Sequence, residues 1–464
     1  IMETFHTWKS EYPESWFSCI PGKNGFLPIE QPLDKLPEEY DIVNRLLDNM
    51  KLTQKSGEQG FLYHGRLRKE LMDNLPVFDF TYINDKRLLA ALHRDYCFLA
   101  AAYSLEPSHL GIINTGDVYG KAENILPPQL AIPLICLGKK NNVFPWMDYA
   151  YGYGLNNAVF IGTDNKNHKH YKTVRTFNGI DSEEGFINVH VAMVSQTGDL
   201  LQQQQNCLDA IYKDERKTFN ENLQGHYKIM NSIVQTLQTM WNASMYKDYL
   251  TFRTFIMGQI GNSICYPTEN LIYNLEEKTE THAFRGETGA QDSIVPSVDS
   301  FLQLEYPRNK LTEYLFDLRK YRPKDHQAYI NFVKKWSEML KLKEYCLKNT
   351  DSSILLLKNL NCLRMFRKKH WNLTKKYIIE STKHPVATGG TPITTWLPNQ
   401  LGATLEYMDE VVKAIDSSLV SDNDREFFDT IQIELSDHIQ TIMDEVRQMQ
   451  PQFEDQKHEA FLQR

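Results

Sequence analysis

Apolar residues recur at steps of three and four along almost the whole chain: around 86–104, 185–212, 226–258, 292–303, 325–346, 352–380 and 402–447. That period lines up apolar side chains on one face of an α-helix. Period-two runs bounded by turn residues are almost absent, which argues against a large sheet. The chain reads as all-α. Its 464 residues, 41% of them hydrophobic, suffice for two or three domains or one large one with additions. Prolines at 13, 21, 28, 32, 37 and 76 suggest an irregular opening followed by short helices. The polar run from Thr163 to His170 marks a candidate boundary. We therefore expect a small N-terminal helical domain (1–165), a large helical domain (166–400) and a C-terminal helical extension (401–464). Ser421-Asp422-Asn423-Asp424 reads as a cap between two helices of that extension. The run Gln202–Gln205 reads as an exposed helix face.

Charge and cysteine content narrow the function. With 51 basic against 59 acidic residues, the net charge is -8, and a basic stripe for nucleic acid is not expected. The seven cysteines are dispersed and no two stand at CxxC spacing, as free thiols in a reducing compartment would. The start is polar, without the apolar core of a secretion signal. The most apolar stretch, from Ile125 to Gly138, carries three prolines and Gln129 and is too short to span a membrane. A cytoplasmic protein without membrane or nucleic-acid partners is expected. No signal for an oligomeric state is visible.

Several segments carry chemistry. In Leu363-Arg364-Met365-Phe366-Arg367-Lys368-Lys369-His370-Trp371-Asn372-Leu373-Thr374-Lys375-Lys376-Tyr377, helical spacing puts Leu363, Phe366, His370, Leu373 and Tyr377 on one face. A histidine on such a stripe is either an axial heme ligand, with basic neighbours for propionates, or a core histidine bonded to a backbone carbonyl. Phe284-Arg285-Gly286-Glu287-Thr288-Gly289-Ala290-Gln291-Asp292-Ser293 is a glycine-bearing loop opening a helix. It brings backbone N–H groups close to a ligand or is an ordinary turn, and it lacks the ending of a phosphate loop. Val386-Ala387-Thr388-Gly389-Gly390-Thr391-Pro392 is a lid-like loop or a plain surface loop. His168 and His170 would be two metal ligands with no third in view, so a solvated loop is expected there.

Together and in this order, FRGETGAQDS, FRKKHWNLTKKYII and ATGGT resemble the indoleamine 2,3-dioxygenase family over roughly residues 80–400. Thr176-Phe177-Asn178-Gly179 before Gly185-Phe186, and the run from Tyr249 to Gly258, add weaker matches. The resemblance implies a two-domain helical fold with heme b between helices of the larger domain. It implies an enzyme that inserts dioxygen across the indole C2–C3 bond of L-tryptophan, giving N-formylkynurenine. It makes His370 the proximal iron ligand and Asp299 a carboxylate linked to it, through water. Arg367 becomes a propionate partner, and Thr288 and the backbone at Gly286 line the distal heme edge. Arg253 would hold the substrate carboxylate and Thr388 would contact the same end. Tyr249 and Phe186 would cover the indole, and Tyr149, Gly152 and Tyr153 would line the inner pocket.

The sequence also departs from the family pattern. His190 stands where a serine is usual, four residues after Phe186 on the same helix face. It would bond the indole N–H, bond dioxygen, ligate iron, or turn away. Asp248 replaces an aromatic and would neutralise Arg253. Glu287 replaces a glycine. Besides the tryptophan dioxygenase, two readings stay open: a tryptophan-processing heme enzyme of secondary metabolism with different chemistry, and a non-enzymatic heme or oxygen binder.

Overall fold

The computed structural model describes residues 4–306, 313–384, 386–390 and 393–462. Of the segments singled out above, Thr391 and Pro392 lie outside the described residues. Helices form where the periodicity marks them. The first part holds α1 (Asp41–Met50), α2 (Leu67–Asn74), α3 (Lys86–Thr115) and α4 (Pro128–Asn141). Then come α5 (Asp181–Val194), α6 (Thr197–Tyr212), α7 (Arg216–Gln238), the single turn α8 (Met240–Ala243) and α9 (Tyr246–Arg253). The rest is α10 (Ile294–Leu302), α11 (Glu313–Leu318), α12 (Lys324–Met339), α13 (Leu342–Leu347), α14 (Thr350–Thr374), α15 (Ile393–Ala414) and α16 (Asp422–Leu462).

Two helices organise the molecule. Helix α3 is buried almost all round from Leu89 to Leu105, so it is a core rod and not a surface helix. Its start is fixed by Asp85, which accepts from the N–H groups of Arg87 (2.8 Å) and Leu88 (3.2 Å), and it ends on Gly116 at φ 83°. Helix α14 starts on Asn349, which accepts from the Ser352 N–H at 3.0 Å. It packs against α7 on one side and α15 on the other. Helix α16 closes over α14 through Lys358–Asp424 (2.7 Å) and Arg364–Glu434 (2.6 Å), and over the π-turn that follows it, Lys375–Ile379, through Lys375–Glu445 (3.0 Å). No helix among the described residues is long and apolar enough to cross a membrane, and all seven cysteines are free.

The structure also holds strands that the hydropathy pattern does not announce. β1 (Ile125–Leu126) pairs in parallel with β4 (Leu271–Asn274), which pairs antiparallel with β5 (Thr279–His282). β2 (Ala158–Thr163) and β3 (Lys169–Thr173) form a hairpin. β1 has only two residues, β2 is a continuous apolar run, and β3, β4 and β5 are short or polar, so none shows a clear alternation. The boundary expected near residue 165 thus falls in a hairpin turn. Asp164 holds that turn by bonding His168 Nδ1 (3.2 Å) and His170 Nε2 (3.3 Å). No cluster of three metal-ligating side chains occurs among the described residues.

The glutamine run is a correction. Gln204 and Gln205 are buried, not exposed. Gln204 accepts from the Tyr329 hydroxyl at 3.1 Å, and Gln205 accepts from the Trp8 N–H at 3.0 Å. The irregular opening is strapped across α6 and α12. Asp325 alone accepts from Ser10 Oγ (2.6 Å), the Glu11 N–H (3.0 Å) and the Cys19 N–H (2.6 Å).

Burial lowers the pKa of His93 and His326 to about 3, and of His109 and His226 to about 4. The unfolded chain binds these protons near pH ~6.5. As pH falls from there toward 4, the unfolded state gains protons that the folded state does not, so stability declines through that window. At pH 5 the loss is roughly 1–2 kcal/mol per histidine. The urea midpoint should therefore be far lower at pH 5 than at pH 7. An unchanged midpoint would show that these imidazoles are not buried as neutral groups.

Candidate active site

A cavity of about 500 Å³ lies between α5, α10, α12 and α14. His370 of α14 and His190 of α5 both line it, together with Met193, Val295, Pro296 and Phe366. Burial lowers His370 to a pKa of about 4, with the Arg367 charge adding to the effect. Burial does the same to His190, also to about 4, and there the second contribution is His370 itself. Both rings are therefore neutral at physiological pH, the form that ligates a metal or accepts a hydrogen bond. His190 does not turn away: its Nδ1 is 3.3 Å from the Tyr149 hydroxyl, and its ring meets Phe186 at 5.1 Å.

Arg367, one turn before His370, sits on the same cavity. It donates to Asp299 (2.7 Å), to Thr404 Oγ1 (3.1 Å) and to the Tyr306 hydroxyl. Asp299 also accepts from Tyr306 at 2.7 Å. The carboxylate is thus shared by an arginine and a tyrosine. Arg367 Nε and Asp299 Oδ1 have no partner among the described residues, so each keeps one site for a further group.

A second cluster lies beyond His190. Phe186 meets Tyr249 at 5.5 Å and Phe252 at 5.8 Å. Arg253 closes helix α9 and is 0% exposed. It donates through Nη2 to the Val386 carbonyl, while Nε and Nη1 have no partner among the described residues. Asp248 does not neutralise it. That carboxylate accepts from Ser182 Oγ at 2.6 Å instead, because α9 presents positions 248 and 253 in different directions. A buried guanidinium with two empty donors is costly unless a carboxylate completes it.

Three loops hold this cluster in place where their backbones cross. A Cβ on Gly286 would lie 2.3 Å from both Gly258 N and Thr388 O, and one on Gly390 would lie 2.0 Å from Ile260 O. Only glycine lets the chain segments approach so closely. Thr388 donates through Oγ1 to the Glu287 carbonyl, tying the two motif loops together. Thr288 caps the turn Gly289–Gln291 by accepting from the Ala290 N–H at 3.3 Å. Gln291 donates to the Gly286 carbonyl (3.0 Å) and accepts from the Tyr149 N–H (3.0 Å), joining this loop to the π-turn Tyr149–Tyr153. Tyr153 is buried against Phe98 and Phe177 and donates to Glu183 at 2.9 Å.

The structure thus brings together the positions that the resemblance marks, in two adjoining groups. His190, Arg367, Asp299 and His370 share the cavity. Tyr149, Phe186, Tyr249, Arg253, Gly286, Thr288 and Thr388 belong to the second cluster and its loops; they do not line that cavity and adjoin it through the contacts of His190 with Tyr149 and Phe186. Sequence reasoning missed Gln291, although it stands inside the quoted loop. It also missed Glu183, which receives the Phe177 (2.8 Å) and Asn178 (2.6 Å) N–H groups besides Tyr153. Gln291 is signalled only by its place in the FRGETGAQDS motif, and Glu183 by nothing beyond its polarity.

The residues fit a heme. An apolar part of the lining (Met193, Leu237, Val295, Pro296 and Phe366) beside a charged part, a neutral imidazole on a capped helix and a buried arginine with an empty donor are what an iron porphyrin with anionic side chains needs. The family profile described as "Indoleamine 2,3-dioxygenase" matches residues 18–450. This is a wider span than 80–400 and takes in most of the C-terminal extension. Among curated relatives, the indoleamine 2,3-dioxygenase nanC of Aspergillus nanangensis is 24% identical, over 77% of this chain and 84% of its own. The indoleamine 2,3-dioxygenase qulI of Penicillium citrinum is 23% identical, over 82% and 86%. The indoleamine 2,3-dioxygenase of Saccharomyces cerevisiae is 22% identical, over 78% and 79%. A match over most of the chain and a cavity with the required donor set agree: this chain belongs to the indoleamine 2,3-dioxygenase family of heme-dependent dioxygenases, with heme b as its cofactor.

Proposed function

We propose that the chain inserts both atoms of dioxygen across the C2–C3 bond of L-tryptophan or a close derivative, giving an N-formylkynurenine-type product. The observation that carries this reading is Arg253, fully buried with Nε and Nη1 unpartnered among the described residues. An oxygen-storing protein has no use for such a group, whereas an amino-acid carboxylate completes it. The bound heme supplies oxygen activation. The protein supplies orientation and dryness. His370 holds the iron from α14, and Arg367 receives a propionate. Phe186 and Tyr249 cover the indole, with Tyr149 and Tyr153 behind them. Thr288 and the Gly286 backbone edge the distal side, and Thr388 fixes the loop over the amino-acid end. His190, held at Nδ1 by Tyr149, keeps Nε2 for the indole N–H.

The test is the absorption spectrum of ferrous, heme-loaded protein with and without L-tryptophan, followed by product mass under labelled dioxygen. A five-coordinate spectrum shifted by tryptophan, then a product heavier by two labelled oxygens, is expected. A product with a different mass gain would assign other tryptophan chemistry. A stable oxygen adduct indifferent to tryptophan would assign oxygen binding.

A further inference from the structure

Arg322 is a cation of the cavity wall for which the site as described has no task. It lines the cavity that holds His190 and His370, and it is buried. Its place follows from the local sequence. A residue before proline is held extended, here at ψ 151° ahead of Pro323, and Gln327 donates to the Arg322 carbonyl at 2.7 Å. The guanidinium is then fixed by two carbonyls: Nε donates to Asp292 O at 2.9 Å and Nη2 to Ala290 O at 3.1 Å. Nη1 has no partner, and the group forms no ion pair, among the described residues. The other cations of the lining differ. Arg367 is matched by Asp299 (2.7 Å), and Lys334 stands near Glu338 (3.7 Å) and Glu305 (3.9 Å). Arg319 is exposed and lies over the Phe316 ring at 4.3 Å.

Asp292 stands beside it and lines the same cavity. Its Oδ2 accepts from the N–H groups of Ile294 (2.9 Å) and Val295 (3.4 Å) at the start of α10, while Oδ1 is buried without a partner among the described residues. The charge of Asp292 reaches Arg322, but the two side chains form no ion pair. Further along α10 the pattern repeats. Asp299 binds Arg367, with Asp299 Oδ1 and Arg367 Nε left over. About two turns of helix, roughly 10 Å, separate the two aspartates. Along α10 the cavity thus has two arginine–aspartate sites, each with a donor and a carboxyl oxygen to spare.

The spare groups select the ligand. Burial lowers Arg322 only to about 10, so it stays charged. A buried guanidinium without a carboxylate is costly, and a ligand carboxylate removes that cost. The same ligand must also serve Asp292 Oδ1. Two carboxyl groups at one site keep a proton between them, and burial already raises Asp292 to about 6. Asp292 is then the group that holds the proton, and its Oδ1 donates. The substrate carboxylate does not fill this place, since Arg253 does not line the cavity. Heme b carries two propionates, and Arg367 meets one of them.

We propose that Arg322 and Asp292 form the site of the second heme propionate, with Arg322 supplying the charge through Nη1 and Asp292, as the neutral acid, donating through Oδ1. The inference rests on the cofactor and not on which indole is oxidised. It gives a use to two buried groups that otherwise stand unsatisfied at the wall of one cavity.

The test loads full-length protein with heme b or with heme b dimethyl ester, whose two propionates carry no charge, and follows the release of each to excess apomyoglobin in the Soret band. Arg322→Gln should release heme b at least about tenfold faster than the unsubstituted protein, and the ester no faster. Arg322→Lys keeps the charge but not the fork that spans both carbonyls and the ligand, so it should release heme b about threefold faster and the ester no faster; should the glutamine variant not fold, the lysine variant decides alone. Asp292→Asn is neutral and keeps a donor at the place of Oδ1, so its release of heme b should stay within about threefold of the unsubstituted protein. Heme b released at the unsubstituted rate by the arginine variants, or heme b and its ester accelerated by the same factor, would overturn the proposal. So would an Asp292→Asn protein that releases heme b about tenfold more slowly, which marks an ionised Asp292 facing the propionate.

Discussion

His370→Ala should leave a folded protein that no longer takes up heme. Helix α14 is held by its Asn349 cap, by α7 and α15 and by the ion pairs to α16, and the imidazole contributes to none of these. The iron, by contrast, loses the neutral nitrogen that holds it. The expected result is an unchanged far-ultraviolet circular dichroism spectrum, a Soret band reduced to the level of unspecific heme and no turnover. Apo wild type and apo variant should melt together, and only the wild type should gain on heme addition, because a ligand stabilises only what binds it. Added imidazole should restore part of the band. His190→Ala should keep the heme, since that ring is engaged on its other side by Tyr149. If instead His190→Ala loses the heme and His370→Ala keeps it, the iron is held from α5 and the roles above are exchanged.

Arg253→Gln should separate activity from stability. The wild-type guanidinium is fully buried with two donors unpartnered among the described residues, so replacing it with a neutral amide removes an uncompensated charge from the interior. Thermal stability should hold or rise. The substrate carboxylate, however, loses its charged partner, at about 3 kcal/mol or roughly a hundredfold in kcat/KM. The loss should be much smaller for indoles without a carboxylate, which make no use of Arg253. Steady-state kinetics with tryptophan and tryptamine, beside a melting curve, check both halves. Equal losses on both substrates would remove Arg253 from carboxylate binding.

The amphipathic helices and the histidine stripe were legible because one side chain every third or fourth position repeats over many turns. Leu363, Phe366, His370, Leu373 and Tyr377 share a face whatever lies opposite it. What escaped was settled by partners far away in the chain. Gln204 and Gln205 look like an exposed polar run until Tyr329 and Trp8 arrive to bond them. Asp248 looks like a counter-ion for Arg253 until Ser182, sixty-six residues upstream, takes it. The short strands β2 and β3 have no periodicity of their own and owe their pairing to a turn held by Asp164. Asp325 as the anchor of the N-terminal strap has no local signature either.

The glycine crossing has a consequence for how such a site changes over generations. Gly258, Gly261, Gly286 and Gly390 block one another through backbone atoms, so no single replacement at any of them is open, and a compensating change has no side chain to act through. The frame can only be inherited whole. Glu287 and Thr288 stand directly beside that frame, carried by backbone it fixes, and their side chains are not part of the crossing. Novelty in this pocket is thus confined to neighbours of the glycines, where one altered codon alters what is recognised without disturbing what holds the loops together.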